Sequence, residues 1–200
     1  MIILGKKETY NFEGIHIPRI YIHDAKKVKY SLELLQKKGS LTNQEMTEET
    51  ERVRSEDIRE IYYLLWRLGL GVEVSKKGRN LIFIANEELE SISEMQEDKL
   101  KNLIFDKLKE YNPFVAILDK LSEYKRERKS FTERDITKDF HNGRDDGGRV
   151  DNTHPLLRWS KEFFIWSISS NIIHKSCFSN SRISYNQKSS FTDFNHLFYI

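Results

Sequence analysis

Apolar residues recur every three or four positions in the first half of the chain, a pattern that predicts amphipathic helices. In residues 25–38 this spacing places Val28 and Leu32 on one face. Asp24 stands before the segment as a candidate helix cap, and Gly39 is expected to end it. We therefore predict the first helix over residues 25–38.

Two more helices are predicted before residue 70. Thr42 and Glu45 have the three-residue spacing of a capping box, in which each side chain accepts a hydrogen bond from the other residue's backbone N–H. They predict the start of a short second helix. A third helix is expected to begin at Ser55, where Glu56 and Asp57 complement the positive end of its dipole. The apolar face of the third helix consists of residues at helical spacing, namely Ile58, Ile61, Tyr62, Leu65 and Leu68.

Alternating apolar residues after the third helix predict a β-hairpin. Gly69 and Gly71 are expected to close the helix, and the segment GVEVSKKGRNLIFIA then gives two strands around a Lys-Lys-Gly turn. Earlier in the chain, residues 15–23 are β-branched and aromatic around Pro18, which predicts a short strand or an extended arm. The first half thus has the order helix, helix, helix, hairpin.

A change of composition separates the two halves of the chain. Residues 87–98 carry six acidic side chains and predict a solvated connector that is helical in part. Beyond it, the apolar stripe from Leu100 to Tyr111 predicts a helix. Asn112 and Pro113 then predict that another helix begins at once, because Asn can cap it and Pro can occupy its first turn.

The later part of the chain repeats the capped-helix pattern of the first half. Thr132 and Asp135 again have capping-box spacing, and a further helix is predicted near residues 152–163, after the loop HNGRDDGGR. The run FFIWSISSNIIH predicts a second hairpin, which turns at Ser169, Ser170 and Asn171. The Ser- and Asn-rich end of the chain leaves an ordered closing element and a poorly ordered tail both open.

These patterns predict a mainly α protein with small β-hairpins, of the α+β class. The predicted division is an N-terminal module over residues 1–86, an acidic connector over residues 87–98, a second module over residues 99–175 and a tail over residues 176–200. Each module has about 80 residues, which is enough for a small core.

Composition limits the classes of function. The 33 basic and 31 acidic side chains leave a net charge of +2, so any nucleic-acid surface has to be local. The net charge is −2 over residues 1–100 and +4 over residues 101–200, so the second half is the more basic one. The single Cys177 excludes an intramolecular disulfide and a Cys-based zinc cluster. No apolar run approaches the length of about 20 residues that a membrane span needs. We expect a cytoplasmic protein without cofactor or metal.

Three segments of the first half carry a resemblance to a known family. LTNQEM on the second helix, YYLLWRLGL on the third and VEVSKKGRNLIFI as the wing resemble winged helix-turn-helix domains along nearly their whole length. Residues 112–166 resemble the same fold but have a long loop and no Leu-Gly helix exit. The pair is also similar to tandem winged-helix segments appended to microbial ATPases, although it has no phosphate-binding loop. The resemblance implies two winged-helix modules in tandem and a DNA-binding protein, either a transcriptional regulator or an accessory subunit of a DNA-processing system.

The resemblance also implies where DNA would bind. The third helix would enter the major groove, and the hairpin would contact the DNA backbone as a wing. The exposed face of that helix carries Trp66 together with Arg59, Arg67 and Tyr63. An arginine can recognise guanine, and a tyrosine can form a hydrogen bond to a phosphate. Basic clusters of the second half would neutralise further phosphates of double-stranded DNA. The predicted DNA-binding residues are Arg59, Tyr63, Arg67, Lys76, Lys77, Arg79, Arg126, Arg128, Arg144, Arg149, Arg158 and Lys161.

Acidic residues on the third helix support an alternative function. Glu56, Asp57 and Glu60 would repel phosphates unless they turn away from the DNA. The alternative is a protein-interaction adaptor, in which the winged folds act as a scaffold and the acidic first module or the aromatic C-terminus docks a partner. The sequence also allows a homodimer, whose interface would be the apolar stripe from Leu100 to Tyr111.

A restriction-type nuclease is the third hypothesis. Asp119, Glu123 and Lys125 are the residue types that metal-dependent phosphodiester cleavage requires, but they fall within one predicted helix. His16 and His23 are assigned to packing or exposure. We predict no catalytic residue and no enzyme activity. Five residues near the Gly-rich loop are of types that bind metal ions, but their spacing matches no recognised metal site. They are His141, Asp145, Asp146, Asp151 and His154.

Overall fold

The computed structural model describes residues 11–178, apart from residues 13, 21, 23, 49–52 and 79, and gives only the backbone of residues 166–178. Residues 16–115 form one compact unit, and the rest of the described chain belongs to a second. The predicted four-part division stays a prediction. The elements in chain order are α1 (Ala25–Lys38), β1 (Ser40–Thr42), α2 (Asn43–Glu48), α3 (Ser55–Arg67), β2 (Val72–Lys77), β3 (Asn80–Ala85), α4 (Glu88–Ser93), α5 (Glu97–Leu108), α6 (Asn112–Arg126), α7 (Glu133–Phe140) and α8 (Gly147–Phe178).

The described chain is mainly helical and contains one antiparallel sheet of three strands, which confirms the predicted α+β class. The predicted hairpin is present as β2 and β3, with Val74 opposite Phe83 and Lys77 opposite Asn80. The sheet order is β1-β3-β2. The short strand β1 was not predicted; it pairs with β3 and places the buried Leu41 opposite Phe83.

Local capping chemistry sets the helix starts that the sequence predicts. The Asp24 side chain accepts a hydrogen bond from the Lys27 N–H (3.4 Å) at the start of α1. At α2 the Thr42 N–H donates to Glu45 Oε2 (2.7 Å) and the Glu45 N–H donates to Thr42 Oγ1 (3.3 Å), as a capping box requires. Helix α3 begins at the predicted Ser55, although no side chain caps it.

The core of residues 16–115 lies between the helices and the sheet. All five residues of the predicted apolar face of α3 are buried, and the Tyr62 hydroxyl donates to the Ser31 carbonyl oxygen at 2.7 Å. The ring of Tyr62 packs against Phe83, with 5.3 Å between centroids. A single face of α3 thereby joins the helical layer to the sheet.

The acidic segment over residues 87–98 is less solvated than predicted. It contains α4, which packs against α1 and buries Leu89 and Ile92. Gly71 permits this packing, because a Cβ atom at Gly71 would lie 2.8 Å from the Leu89 Cα. The acidic composition predicted a solvated connector that is helical in part, but two apolar residues at helical spacing, Leu89 and Ile92, dock its helix against α1.

The second unit contains α7, α8 and most of α6. Thr132 and Asp135 form the predicted capping box at α7. The predicted second hairpin over FFIWSISSNIIH is wrong, because α8 continues through this run. The run contains neither Gly nor Pro, so nothing in it stops a helix that has already formed. Helix α8 also begins at Gly147, which shortens the predicted loop.

Three further findings complete the fold. Phe12 packs in the second unit: its N–H donates to the Phe140 carbonyl oxygen (3.0 Å), and the two rings stack with 4.5 Å between centroids. No helix within the described ranges is both long and apolar enough to span a membrane. The predictions for the chain end after residue 178 lie outside the described residues.

Candidate nucleic-acid interface

The exposed side of α3 carries the four residues predicted for it. We call Arg59, Tyr63, Trp66 and Arg67 the α3 face. Arg67 is exposed and the other three are half-buried, so all four lie outside the core. The 3.6-residue period that buries one side of α3 therefore also determines which side chains it presents outward.

Aromatic contacts hold part of the α3 face in place. The Arg67 guanidinium lies over the Trp66 ring, 4.4 Å from its centroid, as a cation–π pair. Tyr63 packs edge-to-face against Phe83, with 5.3 Å between centroids. Partial burial raises the pKa of Tyr63, so its hydroxyl stays protonated and can donate a hydrogen bond at neutral pH.

The hairpin supplies two further cations. Lys76 and Lys77 are exposed at the end of β2, where they can contact a polyanion without desolvating a core. The third basic residue predicted for the wing, Arg79, lies outside the described residues. We call Lys76 and Lys77 the hairpin tip.

Two of the three acidic residues on α3 are engaged within the protein. Asp57 Oδ1 accepts from the Arg54 guanidinium (3.1 Å), and Asp57 Oδ2 lies 3.5 Å from Lys27 Nζ. Glu60 is buried, with only 11% of its side chain exposed. The repulsion of phosphates that the sequence suggested is therefore reduced at these two positions, while Glu56 stays exposed.

A segment earlier in the chain covers Glu60. We call residues 16–20 the arm. Its backbone is neither helix nor strand, which corrects the strand alternative for this part of residues 15–23. Ile17 and Ile20 are buried, so apolar contacts anchor the arm. Of the two histidines assigned to packing or exposure, His16 belongs to the arm, and His23 lies outside the described residues.

Glu60 ties the arm to α3 by two hydrogen bonds. Its Oε2 accepts from the backbone N–H of Arg19 (2.9 Å) and lies 3.0 Å from His16 Nε2. Burial alone would raise the pKa of Glu60, but the hydrogen bonds from His16 and Arg19 outweigh it, so the pKa lies below the usual value of a glutamate. The carboxylate is therefore ionised at neutral pH and its only role in these bonds is as acceptor.

These contacts define the candidate interface as the α3 face and the hairpin tip, beside an arm that Glu60 holds. A comparison of the chain with protein-family models, curated proteins and solved structures found no match. The contact between Glu60 and the arm was not predicted, because no sequence pattern links residues that are 44 positions apart.

The predicted basic residues of the second half have different surroundings. Arg126 and Arg128 are exposed at the C-terminal end of α6. Arg149 pairs with Asp146 at the start of α8. Lys161 is exposed on α8, and Arg144 is exposed in the loop before that helix.

Arg158 belongs to a chain of hydrogen bonds in the second unit. Its guanidinium donates to His154 Nε2 (2.6 Å), and His154 Nδ1 lies 2.8 Å from Glu133 Oε1. His154 Nε2 is the acceptor in the first of these bonds, because a guanidinium can only donate. Arg158 therefore already has an internal partner that a phosphate would have to displace or share.

The catalytic and metal candidates do not assemble into a site. Asp119 and Glu123 both lie on α6, as predicted, and Glu123 Oε2 is 3.5 Å from Lys120 Nζ. Asp145 pairs with Lys138 at 3.3 Å. No three His, Cys, Asp or Glu side chains come together to hold a metal ion within the described ranges.

Proposed function

We propose that residues 16–115 form a winged-helix domain that binds double-stranded DNA. In this proposal α3 enters the major groove, and the β2–β3 hairpin is the wing that contacts the backbone. The order of α2, α3 and the hairpin supports it, because these elements fall on the three segments that carry the family resemblance. The described part of the second unit has a long helix where the second wing was predicted, so the proposal is confined to the first unit.

The observation that carries the proposal is that two of the three acidic residues of α3 are engaged within the protein, while Glu56 stays exposed. Glu60 is covered by the arm and Asp57 is paired with Arg54, whereas Arg67 is exposed and its guanidinium lies over the ring of Trp66. A helix that approaches phosphates gains when cations point outward and anions are neutralised from within. This separation of charge occurs on one helix, although residues 1–100 together have a net charge of −2.

A planar guanidinium held by an aromatic ring suits base recognition. Guanine presents two acceptors in the major groove, and an arginine contacts both at once. The ring of Trp66 restricts the guanidinium of Arg67 before binding, so less conformational entropy is lost on contact. Lys76 and Lys77 would contact phosphates, which fixes orientation without reading sequence. The biological role that follows is that of a transcriptional regulator or an accessory subunit of a DNA-processing system.

The proposal is tested by reversing three charges, Arg59→Glu, Arg67→Glu and Lys77→Glu, in one variant. We expect its affinity for a duplex of random sequence to fall at least about tenfold, and the salt dependence of binding to become shallower by about one unit of slope per lost phosphate contact. Fluorescence anisotropy with labelled duplex, measured at several salt concentrations, gives both quantities.

A matched control separates a local site from a general charge effect. Lys26→Glu, Lys37→Glu and Lys99→Glu change the net charge by the same amount at exposed residues of α1 and α5. We expect this control to retain most of its affinity. Equal losses in both variants would show that the α3 face and the hairpin tip are not the site, and circular dichroism checks that both variants fold.

One feature favours the adaptor as a second candidate function. An open groove of about 680 Å³ lies between α4 and α5, with Glu94, Met95, Lys99 and Leu103 among its lining residues. Its mixture of apolar and charged groups suits a protein segment better than a polyanion. Flow-through of the wild-type protein on a heparin column, without duplex binding, would favour the adaptor over the DNA-binding domain.

The predicted dimer stripe is not open to a second copy as a whole. Leu100, Ile104 and Leu108 are buried on α5, which packs against α1 of the same chain. These apolar residues therefore serve the core of the domain. The homodimer itself stays a prediction.

A further inference from the structure

The arm brings a histidine to the edge of the α3 face. His16 packs edge-to-face against Tyr63, with 5.0 Å between ring centroids, and 45% of its side chain is exposed. Its Nε2 faces Glu60 Oε2. The imidazole therefore has one nitrogen engaged inside the protein and lies next to a residue of the candidate interface.

Charged and titratable groups face His16 from both elements that pack around it, the arm and α3. Glu60 and Tyr63 face it from α3, Arg59 follows on the same helix with its guanidinium 3.7 Å from the Glu60 carboxylate, and Arg19 is the charged neighbour on the arm. In a neutral imidazole that donates from Nε2, the other nitrogen is an acceptor and cannot bind a phosphate oxygen. Protonation turns Nδ1 into a second donor and adds a positive charge.

We propose that the arm is part of the nucleic-acid interface, with His16 contacting a backbone phosphate in its protonated form and Glu60 acting as the residue that positions it. This inference rests on the proposed DNA-binding function and extends the site to a segment outside the helix-turn-helix and the wing. It gives the buried carboxylate on α3 a role, since Glu60 holds the arm by the backbone of Arg19 and orients the imidazole of His16.

The proposal implies that DNA binding takes up a proton. Affinity should rise as the pH falls through the range in which imidazoles gain charge. Lysine and arginine contacts stay charged throughout that range and add no such dependence. The change in this pH profile when His16 is replaced therefore isolates the contribution of the arm from that of the α3 face and the hairpin tip.

The experiment compares duplex binding at about pH 6 and about pH 8, which bracket the titration of imidazole. We expect the wild-type protein to bind about three- to tenfold more tightly at the lower pH, the range expected for the net contribution of one hydrogen bond. His16→Gln keeps a donor for Glu60 but cannot gain charge, and it should lose this ratio. His154→Gln is the matched control, because His154 also faces a carboxylate, that of Glu133; it should keep the ratio.

Glu60→Gln tests the positioning role. It preserves an acceptor for the Arg19 N–H but removes the negative charge that a protonated His16 would face across the 3.0 Å contact. The pH at which binding tightens should therefore move to a lower value. A merely structural role for Glu60 would lower affinity at every pH without moving the profile, and thermal unfolding shows whether each variant is folded at both pH values.

The outcomes separate the two proposals. If the wild-type protein fails to bind duplex at either pH, the proposed function is wrong and the role of the arm falls with it. If the wild-type protein binds but His16→Gln keeps the same ratio of affinities, the DNA-binding proposal survives and the role of the arm is overturned. Loss of the ratio in His16→Gln alone, with a shifted profile in Glu60→Gln, supports both.

Discussion

Tyr62 and Tyr111 both have buried hydroxyl groups, but the surroundings of these groups differ. The Tyr62 hydroxyl donates to the Ser31 carbonyl oxygen, whereas that of Tyr111 has no hydrogen-bond partner among the described residues. Burial raises the pKa of Tyr111 to about 12, so the phenol stays protonated at any pH at which the protein would be studied. The hydroxyl group of Tyr62 is therefore satisfied by a hydrogen bond, whereas the hydroxyl group of Tyr111 is not.

We expect opposite effects when each tyrosine is replaced by phenylalanine. Tyr62→Phe leaves the Ser31 carbonyl without its donor and should lower the free energy of unfolding by about 1–2 kcal/mol. Tyr111→Phe removes an unsatisfied hydroxyl and should leave stability unchanged or raise it by up to about 1 kcal/mol. Urea denaturation followed by circular dichroism measures both, and equal losses would contradict this description of the core.

Single residues also show the limit of reading a site from its sequence. The period of α3 correctly placed Arg59, Tyr63, Trp66 and Arg67 outside the core, because helical geometry fixes which residues share a face. The same reasoning counted Glu60 among the residues that repel DNA. Its burial depends on a tertiary contact with the arm, and such a contact leaves no periodic trace in the sequence.

At the scale of elements, the turn after α3 contains two glycines, Gly69 and Gly71, that are required for different reasons. Both have positive φ angles, +67° and +71°, which glycine adopts without strain. A Cβ atom at Gly69 would meet nothing within 4 Å, but one at Gly71 would lie 2.8 Å from the backbone of α4 at Leu89. The second glycine is therefore required for backbone conformation and for packing.

The two glycines form a matched pair for mutation. Gly69→Ala should cost about 1 kcal/mol, the strain of a left-handed alanine. Gly71→Ala adds the displacement of α4 and should cost about 2–4 kcal/mol in total. Thermal or chemical unfolding of the two variants gives the difference. A Gly71→Ala protein as stable as Gly69→Ala would show that α4 is not docked against this turn.

Elements set by local chemistry were predictable, and those set by distant partners were not. The caps at Asp24, Thr42 and Thr132 act within one helical turn, so their helices begin where predicted. Strand β1 has three residues and exists because β3 pairs with it, so its sequence alone gives no signal. In FFIWSISSNIIH, β-branched and aromatic residues favoured a strand, but the continuing helix α8 overrode that preference.

At the scale of the whole molecule, net charge does not show which cations are paired within the protein. The first 100 residues have a net charge of −2 and the last 100 a net charge of +4, which pointed to the second half as the basic surface. In the structure Arg149 and Arg158 have partners within the second unit, whereas Arg67 and the hairpin tip are exposed in the first. The second unit also has exposed cations, namely Arg126, Arg128, Arg144 and Lys161. Pairing within each unit, which a sum of charges omits, decides which cations can meet a ligand.

The measurement that tests the central claim most directly is amide hydrogen exchange of the whole chain with and without duplex DNA. We expect DNA to slow the exchange of residues 59–67 and 72–77, where α3 and the hairpin would contact the duplex, and to change that of α5 little. DNA binding that leaves α3 and the hairpin unprotected, or that protects the second unit alone, would contradict it.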